Sequence, residues 1–130
     1  MTVLDKTSRC VYDRTQLHST GGSCRPQAYV YPNAVQGSVA RHVFDAALTF
    51  NVPYRVLHNL ARCESSLNPR ASDGFHFGLY QFLPSTFSRV ADQMRRETGI
   101  TVRSYWDSLD ASYVAAFDVV SRAADFGCST

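Results

Sequence analysis

The chain has 130 residues, of which 45% are hydrophobic and 18% are charged. This size and composition indicate one compact domain with a hydrophobic core and exclude a disordered chain. The formal net charge of +2 and the lack of a Lys/Arg run argue against nucleic acid as a partner. No apolar run in the sequence is long enough for a membrane span, and the first six residues do not have the pattern of a signal peptide.

Four cysteines, Cys10, Cys24, Cys63 and Cys128, allow three pairings. Cys10 and Cys24 bracket a polar, glycine-containing segment and could close a local loop, which leaves Cys63 with Cys128. We therefore predict the disulfides Cys10–Cys24 and Cys63–Cys128, with four buried free thiols as the alternative. No cysteines or histidines have the spacing of a metal site, so we expect no metal and no cofactor.

The N-terminal quarter of the chain is irregular in pattern. Residues 1–32 contain Gly21-Gly22, Pro26 and Pro32, and they alternate weakly between apolar and polar around 28–31. We predict an irregular N-terminal arm over 1–32, stapled by a disulfide, with a short strand at most. Residues 33–130 then form the main domain.

Apolar residues recur at helical spacing in four later segments, and proline, glycine and capping residues mark where the helices begin and end. We predict helices from about Ala34 to Phe50, from Pro53 to before Asn68-Pro69, from Pro84 to Gly99, and from a cap at Asp107 or Ser108 onward.

Glu64 stands out because the chain has only one other glutamate, Glu97. Glu64 lies four residues after Leu60 and seven after Leu57, so it continues the apolar stripe of the second helix. We therefore predict that its carboxyl points inward at the helix C-terminus, where burial and the helix dipole both raise its pKa. A carboxylic acid that keeps its proton near neutral pH can protonate a glycosidic oxygen.

The motifs that follow carry a resemblance to a known family. The residues Glu64-Ser65-Ser66-Leu67-Asn68-Pro69-Arg70-Ala71 are followed by Gly78-Leu79-Tyr80-Gln81-Phe82-Leu83-Pro84-Ser85-Thr86. This order resembles the lytic transglycosylases of the soluble-transglycosylase, lysozyme-like superfamily. It looks closest to the actinobacterial and phage wall enzymes that have a cysteine before the glutamate. The clear match spans residues 61–87.

The resemblance implies a mainly α fold, α+β and lysozyme-like, with a small loop or hairpin beside a glycan groove. It implies that Glu64 is the single catalytic acid and base. In such enzymes the acid protonates the oxygen between N-acetylmuramic acid and N-acetylglucosamine, and the muramyl 6-hydroxyl then attacks the anomeric carbon. The product is a 1,6-anhydro sugar, formed without water.

The resemblance also implies a set of substrate-binding residues. Ser65 is expected to support the glutamate, and a glycine lets the backbone approach a sugar closely. A glutamine offers both donor and acceptor groups, and aromatic rings offer flat apolar faces to a pyranose. The residues expected to line the groove are Gly78, Leu79, Tyr80, Gln81 and Phe82.

The loop from Ala71 to Gly78 holds two further candidates, with Ser72-Asp73-Gly74 as its turn. Asp73 is either a turn residue or a second catalytic carboxylate, which would make the protein a hydrolytic muramidase. His76 either contacts glycan or fills the loop.

The expected partner is the glycan strand of peptidoglycan, with other virion proteins as further partners if the chain belongs to a phage particle. We expect the protein to act in the cell wall, outside the cell, or in a phage virion. The alternative to an enzyme is a non-catalytic virion or wall-binding protein that keeps a lysozyme-like fold.

Overall fold

The computed structural model describes residues 10–12, 17–19 and 31–122. The elements follow the order β1 (Cys10–Tyr12), β2 (Leu17–Ser19), α1 (Ser38–Phe50), α2 (Tyr54–Ser65), α3 (Pro84–Thr98) and α4 (Ser108–Arg122). The two strands pair in antiparallel orientation, with Val11 opposite His18. The described residues are mainly helical, which confirms the predicted fold class.

The predicted N-terminal arm is described only in part. Its two short strands are regular structure within 1–32, a segment predicted to be irregular. The strand suggested around 28–31 falls largely outside the described residues. None of the described helices is both long and apolar enough to cross a membrane.

Helix α4 is the centre of the core. Its residues from Ala111 to Asp118 are all buried, and α1 packs along it. The ring of Phe50 on α1 meets Tyr113 and Phe117 on α4 edge to face, with centroids 6.1 and 5.9 Å apart. Such pairs add to the stabilisation that burial alone provides. Helix α2 packs against both α1 and α4, and α3 packs against α4.

The helix boundaries follow local backbone chemistry. Helix α1 begins at Ser38 rather than about Ala34, because the Val35 N–H donates to the Pro32 carbonyl at 2.8 Å in a turn, and Gly37 follows with φ +88°. Pro53 caps α2 from outside instead of being its first helical residue. Helix α3 starts at Pro84 and stops before Gly99, as predicted.

Two aspartates fix the segment that leads into α4. Asp107 is the cap, since its Oδ1 accepts the N–H of Asp110 at 2.9 Å. The buried Asp110 carboxylate accepts the N–H groups of Arg103 at 2.9 Å and Ser104 at 3.2 Å. These bonds satisfy backbone donors that would otherwise be costly to bury. They hold Tyr105 in the place where it contacts the candidate site.

Candidate active site

Glu64 lies in the last turn of α2, one residue before the helix ends at Ser65. Glu64 is half-buried, so the predicted inward direction of its carboxyl is met only in part. The pKa of Glu64 is nonetheless raised, because burial penalises the carboxylate more than the nearby His76 charge stabilises it. Glu64 can therefore hold a proton at a higher pH than a free glutamic acid.

Ser65 joins the end of α2 to the following loop. Its Oγ donates to the carbonyl of Leu79 at 2.8 Å and lies 3.1 Å from the carbonyl of Ala61. The same oxygen accepts the N–H of Asn68 at 3.2 Å. Ser65 thus fixes the backbone next to Glu64, which is consistent with the supporting role that the resemblance implied.

The segment after Ala71 forms a small turn closed by an antiparallel bridge between Ser72 and Phe77. Asp73 organises it: Oδ1 accepts the N–H groups of Phe75 at 2.8 Å and His76 at 2.7 Å, and Oδ2 lies 2.9 Å from Nδ1 of His76. Because these bonds stabilise the carboxylate, they hold the pKa of Asp73 well below its usual range. Asp73 is therefore a turn residue that stays ionised.

The loop that follows is packed into the protein more deeply than the sequence predicted. The side chains of Leu79, Tyr80 and Phe82 are buried in the core, with exposures of 0%, 1% and 4%. The prediction that Tyr80 and Phe82 offer ring faces to a sugar is wrong for this structure. Gly78 is also buried, and a Cβ there would lie 2.2 Å from the carbonyl oxygen of Tyr105. The glycine therefore allows two backbone segments of the protein to approach each other closely, rather than allowing the backbone to approach a sugar.

Gln81 uses its side-chain amide within the loop. Its Nε2 donates to the carbonyl groups of Ala71 at 3.0 Å and Gly78 at 2.9 Å. Its backbone is left-handed, with φ +54°, and these bonds offset the cost of that conformation. The NH₂ group predicted to bind sugar therefore already binds the two loop segments on either side of the turn.

The exposed aromatic rings lie elsewhere. Phe75, at the tip of the turn beside His76, is 72% exposed, and Trp106 is 39% exposed. Trp106 contacts Phe77 and Tyr105 with centroids 5.6 and 5.3 Å apart. A cavity of about 520 Å³ extends from Trp106 along the 101–106 segment to α3, and Glu64 does not line it. The exposure of Phe75 was not predicted, because the local order Phe-His-Phe does not indicate which of the two rings is buried.

Cys63 precedes Glu64 on α2, is exposed, and is disulfide-bonded. The alternative of a free thiol is wrong for this residue. Its predicted partner Cys128 lies outside the described residues, as does Cys24, so both predicted pairings stay predictions. Within residues 31–122 no three potential ligands are grouped in a way that could hold a metal ion.

The site thus joins a helix end, a hydrogen-bonded turn and a tightly packed loop around one protonatable carboxyl group. Residues 41–116, more than half of the chain, match the transglycosylase SLT domain family, and the chain belongs to that family. Comparison with curated proteins gave no match, and neither did comparison with solved structures.

Membership in this family makes the protein a transglycosylase by class, with peptidoglycan as the substrate. The match begins at Arg41 in the first turns of α1 and ends at Ala116 in the buried half of α4. It includes α2, the turn and the loop that build the site around Glu64.

Proposed function

We propose that the protein is a peptidoglycan lytic transglycosylase that uses Glu64 as its only catalytic acid and base. The observation that carries the proposal is the half-buried carboxyl at the end of α2, whose pKa is raised by burial. Family membership gives the substrate class, and the raised pKa gives the group that can donate a proton.

The reaction requires two proton transfers at one carboxyl group. Glu64 gives its proton to the oxygen between muramic acid and glucosamine, and the bond from that oxygen to the anomeric carbon breaks. The muramyl 6-hydroxyl oxygen then bonds to the anomeric carbon, and its proton returns to the Glu64 carboxylate. One carboxyl suffices because the nucleophile belongs to the substrate and is already close to the reacting carbon.

The state of Asp73 favours this route over hydrolysis. A muramidase that inverts or retains configuration needs a second carboxylate as base or nucleophile. Both oxygens of Asp73 already accept hydrogen bonds within the turn, and its lowered pKa makes it a weak general base for the activation of water. A hydrolytic muramidase therefore remains the second candidate, with less support from the geometry.

We also propose that the protein works at the bacterial wall, outside the cell or as a part of a phage particle. The disulfide bond of Cys63 supports this location, because disulfides persist in oxidising compartments. Peptidoglycan, the substrate of the family, lies in such a compartment.

The test is the digestion of purified sacculi by the wild-type protein and by Glu64→Gln, with masses of the soluble products. We expect products that carry a 1,6-anhydro end and are lighter by one water than the hydrolytic products. Glu64→Gln should slow their release by at least about 100-fold, because a catalytic acid contributes on that order.

Glu97→Gln is the matched control. Glu97 is the chain's other glutamate, is exposed on α3, and accepts a hydrogen bond from Gln93. This variant should digest sacculi at the wild-type rate. Products with reducing ends would support the muramidase instead. Digestion by Glu64→Gln at the wild-type rate would overturn the role of Glu64, and a wild-type protein that releases no products would leave the non-catalytic wall-binding protein.

A further inference from the structure

A cavity separate from the candidate active site lies between α3 and the segment that leads into α4. It has a volume of about 520 Å³, and the described residues that line it belong to two stretches, 87–95 on α3 and 101–106. Small-molecule sites commonly have volumes of roughly 300 to 1,000 Å³. Neither Glu64 nor the turn and loop over 72–82 contributes to the lining, so the proposed cleavage reaction does not account for this cavity.

Trp106 lines this cavity and is held in place by its neighbours. Its ring contacts Phe77 and Tyr105, with centroids 5.6 and 5.3 Å apart, and its backbone N–H donates to Oγ of Ser104 at 3.0 Å. Ser104 is itself fixed, because its N–H donates to the buried Asp110 carboxylate at 3.2 Å. The Trp106 ring is nevertheless 39% exposed, and its indole N–H donates to no described residue. Trp106 therefore offers a ligand a preorganised apolar face and a hydrogen-bond donor.

Helix α3 supplies polar groups to the cavity wall. Ser88, Asp92 and Arg95 line the cavity, and their spacing of four and three residues places them on one face of the helix. Oδ1 of Asp92 accepts a hydrogen bond from Nη2 of Arg95 at 2.5 Å. Both side chains are about half-exposed, so each keeps further positions for hydrogen bonds. The wall thus presents donors and acceptors side by side.

The charges in the cavity limit the kind of ligand that fits it. Arg103 also lines the cavity, is exposed, and makes no ion pair within the part of the chain that the structure describes. A purely apolar ligand would bury such charged groups without partners, which is costly, and a strongly anionic ligand would meet the Asp92 carboxylate. A neutral ligand with one apolar face and many hydroxyl and amide groups satisfies the whole lining. A sugar ring has this chemistry.

From this lining we propose that the cavity is a second glycan-binding site, which takes an N-acetylated sugar with its ring on Trp106 and its polar groups bonded to the Asp92–Arg95 pair. The proposal rests on the proposed function, since the sugar belongs to another part of the same polymer. A site outside the cleavage position keeps the strand on the protein between cuts and raises its effective concentration at Glu64. The contribution of the cavity therefore appears mainly in KM for the polymer.

Trp106 is the only tryptophan of the chain, so its fluorescence reports on this cavity. The probe is a soluble tetramer of N-acetylglucosamine, titrated at neutral pH into the wild-type protein and into Arg95→Gln. We expect a saturable change in emission, with binding about threefold to tenfold weaker in Arg95→Gln, the effect of one lost hydrogen bond. In the digestion of sacculi, Arg95→Gln should raise KM by a larger factor than it lowers kcat.

Arg96→Gln is the matched control. Arg96 is the next residue on α3, is similarly exposed and also pairs with Asp92, but it does not line the cavity. This variant should bind the tetramer and digest sacculi as the wild type does. Thermal unfolding shows whether each variant is folded.

The outcomes separate this proposal from the one on which it rests. Absence of a saturable fluorescence change overturns the sugar site, and so do equal affinities of Arg95→Gln and Arg96→Gln for the tetramer, because the sugar then binds elsewhere. A response to a free peptidoglycan stem peptide, with none to the tetramer, assigns the cavity to peptide and overturns it as well. The titration requires no cleavage. A wild-type protein that binds the tetramer in this way but releases no products from sacculi therefore overturns the proposed function and retains the sugar site.

Discussion

The backbone of Gly78 passes so close to Tyr105 that a side chain has no room. Its φ of +86° is one that residues with a Cβ rarely adopt, and a Cβ would lie 2.2 Å from the Tyr105 carbonyl oxygen. The atom in the way belongs to the backbone of a segment that Asp110 holds in place. The loop beside Glu64 is therefore positioned by a contact that tolerates glycine alone.

We expect Gly78→Ala to lower the free energy of unfolding by about 3 kcal/mol or more, from backbone strain and overlap together. Gly74→Ala is the matched control, since Gly74 has a similar φ of +93° but open space around it. That variant should lose only about 1 kcal/mol, the cost of the conformation by itself. Urea unfolding of both variants measures the difference, and equal losses would contradict the close contact.

At the scale of single residues, the sequence identified Glu64, Asp73 and His76 as candidates but not how they are connected. The Asp73–His76 pair depends on a turn whose geometry is set by three hydrogen bonds. The burial of Leu79, Tyr80 and Phe82 was not predictable either, because a left-handed Gln81 between them breaks any strand-like alternation. Periodicity gives a side-chain direction only within regular structure.

At the scale of elements, the helices were predictable where capping chemistry is local. Pro84, Gly99 and Asp107 mark helix ends through bonds within a few residues. The start of α1 was misplaced, because the turn from Pro32 to Val35 competes with the helix for the same backbone groups. Nothing in the apolar pattern alone distinguishes these two outcomes.

Helix α1 also carries a buried acid with a pH-dependent cost. Asp45 is 8% exposed and accepts the hydroxyl of Tyr31 with both oxygens, at 3.0 and 3.1 Å. Burial raises its pKa to about 6, and the Tyr31 hydrogen bond only partly opposes this. The folded protein therefore keeps a proton on Asp45 that the unfolded chain has already lost. This contribution to stability is full below about pH 4 and is lost as the pH rises through about 6.

Asp45→Asn should remove this dependence, because an amide stays neutral and its oxygen can still accept the Tyr31 hydroxyl. Relative to the wild type, the free energy of unfolding of the variant should be almost unchanged at pH 4 and higher by about 1 to 2 kcal/mol at pH 7, after a discount for solvent screening. Unfolding in urea at several pH values measures this gain.

Asp92→Asn should change the pH dependence of stability in the opposite direction. Hydrogen bonding to Arg95 and the positive charges of Arg95 and Arg96 lower the pKa of Asp92, so its carboxylate stabilises the fold above the usual aspartate pKa. Relative to the wild type, this variant should become less stable as the pH rises. The same pH trend in both variants would contradict the burial of Asp45.

At the scale of the whole molecule, the bond made by Cys63 is a covalent connection beside the proposed catalytic acid. Cys63 is disulfide-bonded and lies one residue before Glu64 near the end of α2. If its partner is Cys128, the bond closes a loop that contains the turn, α3 and α4. Closing so long a loop restricts the unfolded chain and stabilises the fold by about 2 to 4 kcal/mol in the chain-entropy account.

The pairing can be tested by comparing single and double variants. Cys63→Ser and Cys128→Ser should each lower the free energy of unfolding by the same amount, and the double variant should lose no more than either one, because both changes break one bond. Cys24→Ser should add its own loss to that of Cys63→Ser, since it breaks the other predicted bond. If the double variant of Cys63 and Cys24 loses no more free energy of unfolding than Cys63→Ser alone, those two cysteines are instead bonded to each other. Glu64 would then be anchored to the N-terminal segment rather than to the end of the chain.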